Sequence, residues 1–140
     1  MEKTITIREN WLTRKPHRNG LYATVCLTLI LLFGTFIYLN NIFKAELLMP
    51  ASYFSVFEQH QVWRIWTTLF AHADIHHVLS NLILFLPFAY YLSGYFDFIF
   101  FPVMGFFAGG CVNLVVLYTM PEKGYLIGSS GVVHWMGAAW

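Results

Sequence analysis

The sequence predicts an all-α fold, a polytopic transmembrane helical bundle with about four helices in 140 residues. Hydrophobic residues make up 58% of the chain and charged residues only 11%, whereas soluble domains carry roughly 25% charged residues. The apolar residues are gathered into long runs separated by polar turns. Most of these runs approach the roughly 20 residues that a membrane-spanning helix needs. These observations indicate an integral, multi-pass membrane protein.

The first 20 residues predict a basic cytoplasmic tail. They hold five of the eight Lys and Arg residues, directly before the first apolar run, and the positive-inside rule places such a tail in the cytoplasm. The first span is predicted at Leu21–Leu39. It is too long for a signal peptide, and no small-x-small cleavage site follows it. We therefore divide the chain into the tail at 1–20 and a transmembrane domain at 21–140.

The stretch 40–71 predicts a loop that lies in the membrane interface on the outer face. Charged and amide side chains alternate there with tyrosine, phenylalanine and tryptophan. Such a segment is too polar to span the membrane, whereas amphipathic aromatic rings favour the headgroup level.

Two further complete spans are predicted after this loop. The second is expected at His76–Ser93, with a tight return at Gly94–Asp97, and the third at Phe98–Thr119. The third contains Gly105-x-x-x-Gly109, a small-residue seam that allows close helix packing. Asn113 in the same span is interpreted as a packing residue.

The fourth apolar helix opens with the first candidate catalytic residue. In Gly128-x-Ser130-Gly131, the glycines let another part of the chain approach the serine hydroxyl. Backbone N–H groups at a helix start also stabilise an oxyanion. The same motif is common in turns and packed helices, so by itself it leaves a structural role open. The helix reaches Trp140 after about three turns, too short to cross the hydrocarbon core, and we expect the chain to be truncated.

A second polar cluster opens the second span, and counting the spans places it on the same face as Ser130. His77 and Asn81 are four residues apart, so both project from one helical face, and polar groups inside a membrane usually mark function. Both side chains are able to donate hydrogen bonds to an oxyanion that develops near Ser130. Asn81 also suits a hydrogen bond between helices, and Trp63 and Arg64 in the outer loop suit an interface anchor.

In order and approximate spacing, these motifs resemble the rhomboid intramembrane serine proteases. The resemblance covers residues from about 60 to the end and rests on several matching residues: Trp63-Arg64, His72, His77-x-x-x-Asn81 and Gly128-x-Ser130-Gly131. It implies that Ser130 is the nucleophile, flanked by Gly128 and Gly131. His77 and Asn81, together with the Ser130 N–H, are implied to form the oxyanion hole. Trp63, Arg64 and His72 are implied to support the outer loop.

The chain departs from the family pattern in its fourth helix. The family places its general-base histidine on the sixth of an expected six helices, and none of the six histidines here occupies that place. His134 and Ala138 stand where the family tends to have an aromatic residue and a helix-packing glycine. His134 follows Ser130 by one helical turn, a spacing that rarely aligns a serine and a histidine for proton transfer. We therefore expect the 140-residue chain to be inactive alone.

The implied activity is that of an endopeptidase that cleaves single-span transmembrane proteins within the lipid bilayer, without a metal or organic cofactor. The expected location is a bacterial inner membrane. A nucleic-acid partner is not expected, because the net charge is only +1 and no basic, aromatic-interleaved stripe is present. Two alternatives stay open: a non-catalytic rhomboid-like protein that binds membrane clients, and a metal-binding membrane protein that uses His72, His76 and His77.

Overall fold

The computed structural model describes residues 14–121 and 123–140, and within them it confirms the all-α, polytopic architecture. Three helical stretches are long and apolar enough to cross a membrane, judged by length and composition: Asn19–Leu39, Ile75–Tyr95 and Ile99–Thr119. Their bounds agree with the three predicted spans to within two residues. Most of the predicted tail, residues 1–13, lies outside the described residues.

Six α-helices, four shorter helical turns and one two-stranded antiparallel sheet make up the regular structure of the described residues, and the turn at Ile99–Met104 leads into the fifth of these helices. In chain order they are α1 Asn19–Leu39, α2 Ala45–Leu48, β1 Ala51–Ser52, α3 Arg64–Thr67, α4 Ile75–Tyr95, α5 Gly105–Thr119, β2 Tyr125–Leu126 and α6 Ser130–Ala139. Helix α1 packs along α4, and α6 packs against both α5 and α4. Helix α6 begins at Ser130, as predicted.

The segment 40–71 contains no span, as predicted, but it is more regular than a simple loop. Besides α2, β1 and α3 it forms helical turns at Ile42–Lys44, Phe54–Glu58 and Thr68–Phe70. Large apolar side chains remain exposed along it, among them Phe43 and Leu47. We call 40–71 the first loop.

The return after the second span starts later than predicted, because Gly94 and Tyr95 belong to α4 and the helix ends before Phe96. The segment before α1 covers this end. A Cβ added at Gly94 would lie 2.6 Å from the Pro16 Cβ, and the His17 N–H donates to the Gly94 carbonyl at 2.9 Å. This tertiary contact keeps a glycine helical where the sequence favours a turn.

The predicted glycine seam of α5 is confirmed as the contact with α6. A Cβ added at Gly109 would lie 2.9 Å from Val132, and one added at Gly105 would lie 2.9 Å from Trp135. From the other side, a Cβ at Gly131 would lie 3.1 Å from the Gly109 carbonyl oxygen. Val132 and Trp135 of α6 pack directly on the glycines of α5, so side chains at Gly105 and Gly109 are excluded.

At the other end of the bundle, α1 and α4 also touch through glycine. A Cβ added at Gly20 would lie 2.7 Å from the Tyr90 carbonyl oxygen and 2.9 Å from the Gly94 Cα. Between the two ends lies an apolar core drawn from all the long helices and the first loop. It includes the buried side chains of Leu31, Leu69, Val78, Leu82, Phe85, Ala89, Leu92, Phe101, Val132, Val133 and Met136.

Candidate active site

Ser130 is the first residue of α6 and is exposed. As the first helical residue, it has an N–H without an acceptor inside the helix. The preceding Gly128 has φ +114°, a backbone conformation that residues with a side chain rarely adopt. Its N–H donates to the Thr68 carbonyl at 2.9 Å. The chain therefore enters α6 through a glycine turn that is tied to the first loop.

His77 and Asn81 lie beside this turn. A Cβ added at Gly128 would lie 2.7 Å from the His77 Nε2 and 3.5 Å from the Asn81 Nδ2. The Asn81 Nδ2 is buried and has no hydrogen-bond partner among the residues that the structure describes. Unsatisfied buried donors are rare and costly in native structures. The predicted meeting of the two helix starts is thus present in the fold, with an unused donor at the meeting point.

Asp74 fixes the start of α4, the helix that carries His77. It is the N-cap residue, and its carboxylate accepts a hydrogen bond from the His77 N–H at 2.8 Å. This bond holds the pKa of Asp74 below its usual range, because it stabilises the charged form. Stability from the cap is therefore fully present above the ordinary carboxyl pKa and is lost as the pH falls through the lowered value.

His72 is fully buried and touches both α1 and the start of α6. Its Nδ1 lies 2.9 Å from the Thr35 Oγ1, and its Nε2 lies 3.3 Å from both the N and the Oγ of Ser129. Burial, together with the smaller effect of the neighbouring His77, lowers the pKa of His72 to about 4. At neutral pH this histidine is uncharged.

Arg64 and Trp63, both predicted to support the first loop, differ in their surroundings. Arg64 is buried, and its Nη1 donates to the carbonyls of Leu47 and Pro50 at 2.7 and 2.9 Å. The Trp63 side chain is 52% exposed. The tryptophan that packs inward is Trp66, whose indole ring would block a Cβ at Gly110.

Asn113 and Thr68 are two residues of the site that the sequence reasoning missed. The Asn113 Nδ2 donates to the Ile65 carbonyl at 2.8 Å, and its Oδ1 would lie 2.6 Å from a Cβ at Gly131. The Thr68 hydroxyl donates to the Leu126 carbonyl. The only available signal for Asn113 was an amide side chain inside an apolar span, one helical turn after the glycine seam.

The short sheet joins the first loop to the segment before α6. Ala51 pairs with Leu126 and Ser52 pairs with Tyr125 in antiparallel register. Together with Thr68 and Asn113, this pairing ties the first loop to the chain on both sides of Ser130.

The remaining histidines of the region have other contacts. The His134 Nδ1 lies 2.7 Å from the Ser130 carbonyl oxygen, and His76 is exposed. Within 14–121 and 123–140, no histidine nitrogen hydrogen-bonds to the Ser130 Oγ. In the same part of the chain, no group of three His, Cys, Asp or Glu side chains is arranged to hold a metal ion.

The second half of the chain is similar to a known protein family. Residues 59–140 match the model of the rhomboid domain. Comparisons with curated proteins and with solved structures gave no match. The matched residues make up more than half of the chain, and they contain the glycine turn, His77, Asn81 and Ser130. The chain therefore belongs to the rhomboid family.

Proposed function

We propose that this chain carries the nucleophile and the oxyanion-binding side chains of an intramembrane serine endopeptidase. The observation that carries the proposal is the buried Asn81 Nδ2 beside the turn that leads into Ser130, a donor without a partner in the described part of the chain. A preorganised donor of this kind stabilises charge that appears only in the transition state, at no cost in reorganisation.

In the proposed reaction, the Ser130 Oγ attacks the carbonyl carbon of a scissile peptide bond and forms a tetrahedral intermediate. Its oxyanion accepts hydrogen bonds from the His77 ring, the Asn81 Nδ2 and the Ser130 N–H. A serine hydroxyl needs a general base to accept its proton. His134 does not suit this role, because its Nδ1 donates to the Ser130 carbonyl and, in the described residues, neither of its nitrogens hydrogen-bonds to the Ser130 Oγ. The family pattern places this base on the sixth helix of the rhomboid fold.

The proposed substrates are single-span membrane proteins, because Ser130 opens an apolar helix in a bundle of membrane-spanning helices. The first loop and the segment 121–128 are proposed to lie on the outer face, with residues 1–20 in the cytoplasm. Cysteines introduced at Glu58 or Lys123, after replacement of Cys26 and Cys111, should then react with an impermeant maleimide from outside. Reaction at Lys3→Cys from outside would refute this orientation.

A fluorophosphonate probe tests the nucleophile directly. The protein expressed from its complete natural reading frame should be labelled in a bilayer, and Ser130→Ala should abolish labelling. The isolated 140-residue chain should stay unlabelled, since general-base assistance typically contributes 10²–10⁴-fold. Labelling of the short chain that requires both Ser130 and His134 would make His134 the base. A complete protein that binds membrane clients but is never labelled would support the non-catalytic alternative.

A further inference from the structure

The serine that directly precedes Ser130 has very different surroundings. Ser129 is fully buried, and both its N–H and its hydroxyl are directed at the His72 Nε2, each at 3.3 Å. Buried polar groups are satisfied by specific partners in native structures. Here a single nitrogen atom is the partner of both groups.

The direction of every hydrogen bond in this chain of contacts follows from one donor. The Ser129 N–H is only able to donate, so the His72 Nε2 accepts and the ring proton lies on Nδ1. Nδ1 then donates to the Thr35 Oγ1 at 2.9 Å, and the Thr35 hydroxyl donates to the Phe70 carbonyl at 3.2 Å. One tautomer of His72 satisfies all of these contacts, and it links α1, the first loop and the start of α6.

This arrangement requires an uncharged ring. A protonated imidazole donates from both nitrogens, and it would point a second N–H at the Ser129 N–H. Burial keeps the pKa of His72 near 4, and His77 is the titratable neighbour, with the ring centroids 5.0 Å apart. Above about pH 5 the acceptor that Ser129 needs is therefore present.

The geometry points to His72 as a positioning residue that holds Ser129 and thereby sets the backbone from which Ser130 projects. The inference rests on the proposed role of Ser130 as nucleophile. His72 does not touch the reacting atoms in this role. It holds the peptide unit that joins Gly128 to Ser129 against α1 and the first loop. The first turn of α6 therefore has one orientation relative to His77 and Asn81.

Ser129 is not a second nucleophile in this arrangement. Its side chain is fully buried and lines an apolar cavity of about 300 Å³ between α1, the first loop and α5. A histidine with a pKa near 4 is also a weak general base at neutral pH. Ser129 and His72 are the residue types of a catalytic serine and its base, but their burial favours a structural hydrogen bond.

Two substitutions at His72 distinguish the loss of the hydrogen-bond acceptor from the loss of side-chain volume. In His72→Gln the side-chain amide reaches the position of Nε2, whereas in His72→Asn it reaches only the position of Nδ1. In the complete protein in bilayers, we expect His72→Asn to lower kcat about tenfold with KM unchanged. His72→Gln should recover most of this loss, and Ser129→Ala, which keeps its N–H, should lower kcat only a few-fold. Equal kcat values for the Gln and Asn variants would overturn the inference.

Amide hydrogen exchange provides a readout that does not depend on cleavage. His72→Asn should accelerate exchange of the Ser129 N–H at least tenfold, while the Gly128 N–H, bonded to the Thr68 carbonyl, should keep its wild-type rate. Nitrogen NMR of the wild-type ring at pH 7 should show a proton on Nδ1 and none on Nε2. Unchanged exchange at Ser129, or a proton on Nε2, would overturn the inference.

The outcomes separate this inference from the proposed function. Absence of cleavage in every chain, wild type included, would refute the proposed function, and the exchange rates would still decide whether His72 holds Ser129. Fluorophosphonate labelling that survives Ser130→Ala and disappears in Ser129→Ala would overturn both, because Ser129 would then be the nucleophile.

Discussion

The two ends of the helical bundle are held together by different kinds of contact. Around Ser130, side chains bind backbone atoms of distant segments: Arg64, Thr68 and Asn113 each donate to a carbonyl, and His72 accepts from a backbone N–H. At the opposite end, α1 and α4 touch through Gly20, whose added Cβ would lie 2.7 Å from the Tyr90 carbonyl oxygen. The hydrogen bonds at that end, from the His17 N–H and the Tyr95 hydroxyl, hold only the segment before α1 to the end of α4.

Contacts at the two ends therefore differ in their main effect: those around Ser130 orient backbone segments, and the contact at Gly20 contributes stability. A hydrogen bond has a direction and fixes how two backbone segments face each other, whereas close packing of glycine mainly fixes how near two helices lie. Variants around Ser130 should therefore change kcat, and variants at the Gly20 contact should change stability with little effect on kcat. Four substitutions test this contrast, and the expected loss of kcat decreases from the first to the last.

Gly128→Ala should lower kcat on the order of a thousandfold. Gly128 has φ +114°, and the new Cβ would lie 2.7 Å from the His77 Nε2, so the turn is strained and an oxyanion donor is displaced. A lost donor alone typically costs 10²–10³ in kcat. Cleavage of a transmembrane model substrate measures the effect. Gly137→Ala is the matched control, because its Cβ would meet only Phe88 at 3.5 Å. A Gly128→Ala protein with more than a tenth of wild-type kcat would contradict the assigned geometry.

Asn81→Ala should lower kcat about a hundredfold, equivalent to about 3 kcal/mol, with helix content unchanged. The reason is loss of the buried Nδ2 donor, which has no hydrogen-bond partner within 14–121 and 123–140. Steady-state kinetics with circular dichroism measure both quantities, and His77→Ala should behave alike. A wild-type rate for Asn81→Ala would remove this side chain from the oxyanion hole.

Asn113→Leu should lower kcat about tenfold and reduce the free energy of unfolding by about 1–3 kcal/mol. It leaves the Ile65 carbonyl without its buried donor, and an unsatisfied buried polar group costs about this much. Thermal unfolding and kinetics on the same sample measure the two effects. Val115→Ala, at an exposed position of the same helix, should change neither. If Asn113→Leu matched that control, Asn113 would be packing only, as the sequence suggested.

Gly20→Ala should leave kcat of the folded protein unchanged and lower the free energy of unfolding by about 1–3 kcal/mol. The new methyl group would press on the Tyr90 carbonyl oxygen, and overpacking typically costs this amount. Val25→Ala, on the exposed side of α1, is the control for a small change in the same helix. A large fall in kcat in a fully folded Gly20→Ala protein would mean that the two ends of the bundle do not act independently.

The fold and the meeting of the two polar helix starts followed from local patterns. Long apolar runs fix where the spans lie, and counting them places His77, Asn81 and Ser130 at one face. The contacts of Asn113 and Thr68 did not follow, because a single polar residue in an apolar or mixed segment carries no information about its partner. Trp63 and Trp66 are three residues apart, and only the tertiary packing of α3 decides that Trp66 faces inward.

The pairing of β1 with β2 has a consequence for the order of events during synthesis. Membrane segments are made from the N-terminus onward, so Ala51 and Ser52 await their partners until α5 has been made and Tyr125 and Leu126 have emerged. Contacts between distant segments form late, because a long loop must close first. We therefore expect the first loop to remain open to added protease in nascent chains and to become resistant only once β2 is available. Until then the site around Ser130 is not assembled, and any activity of the proposed kind has to wait for β2.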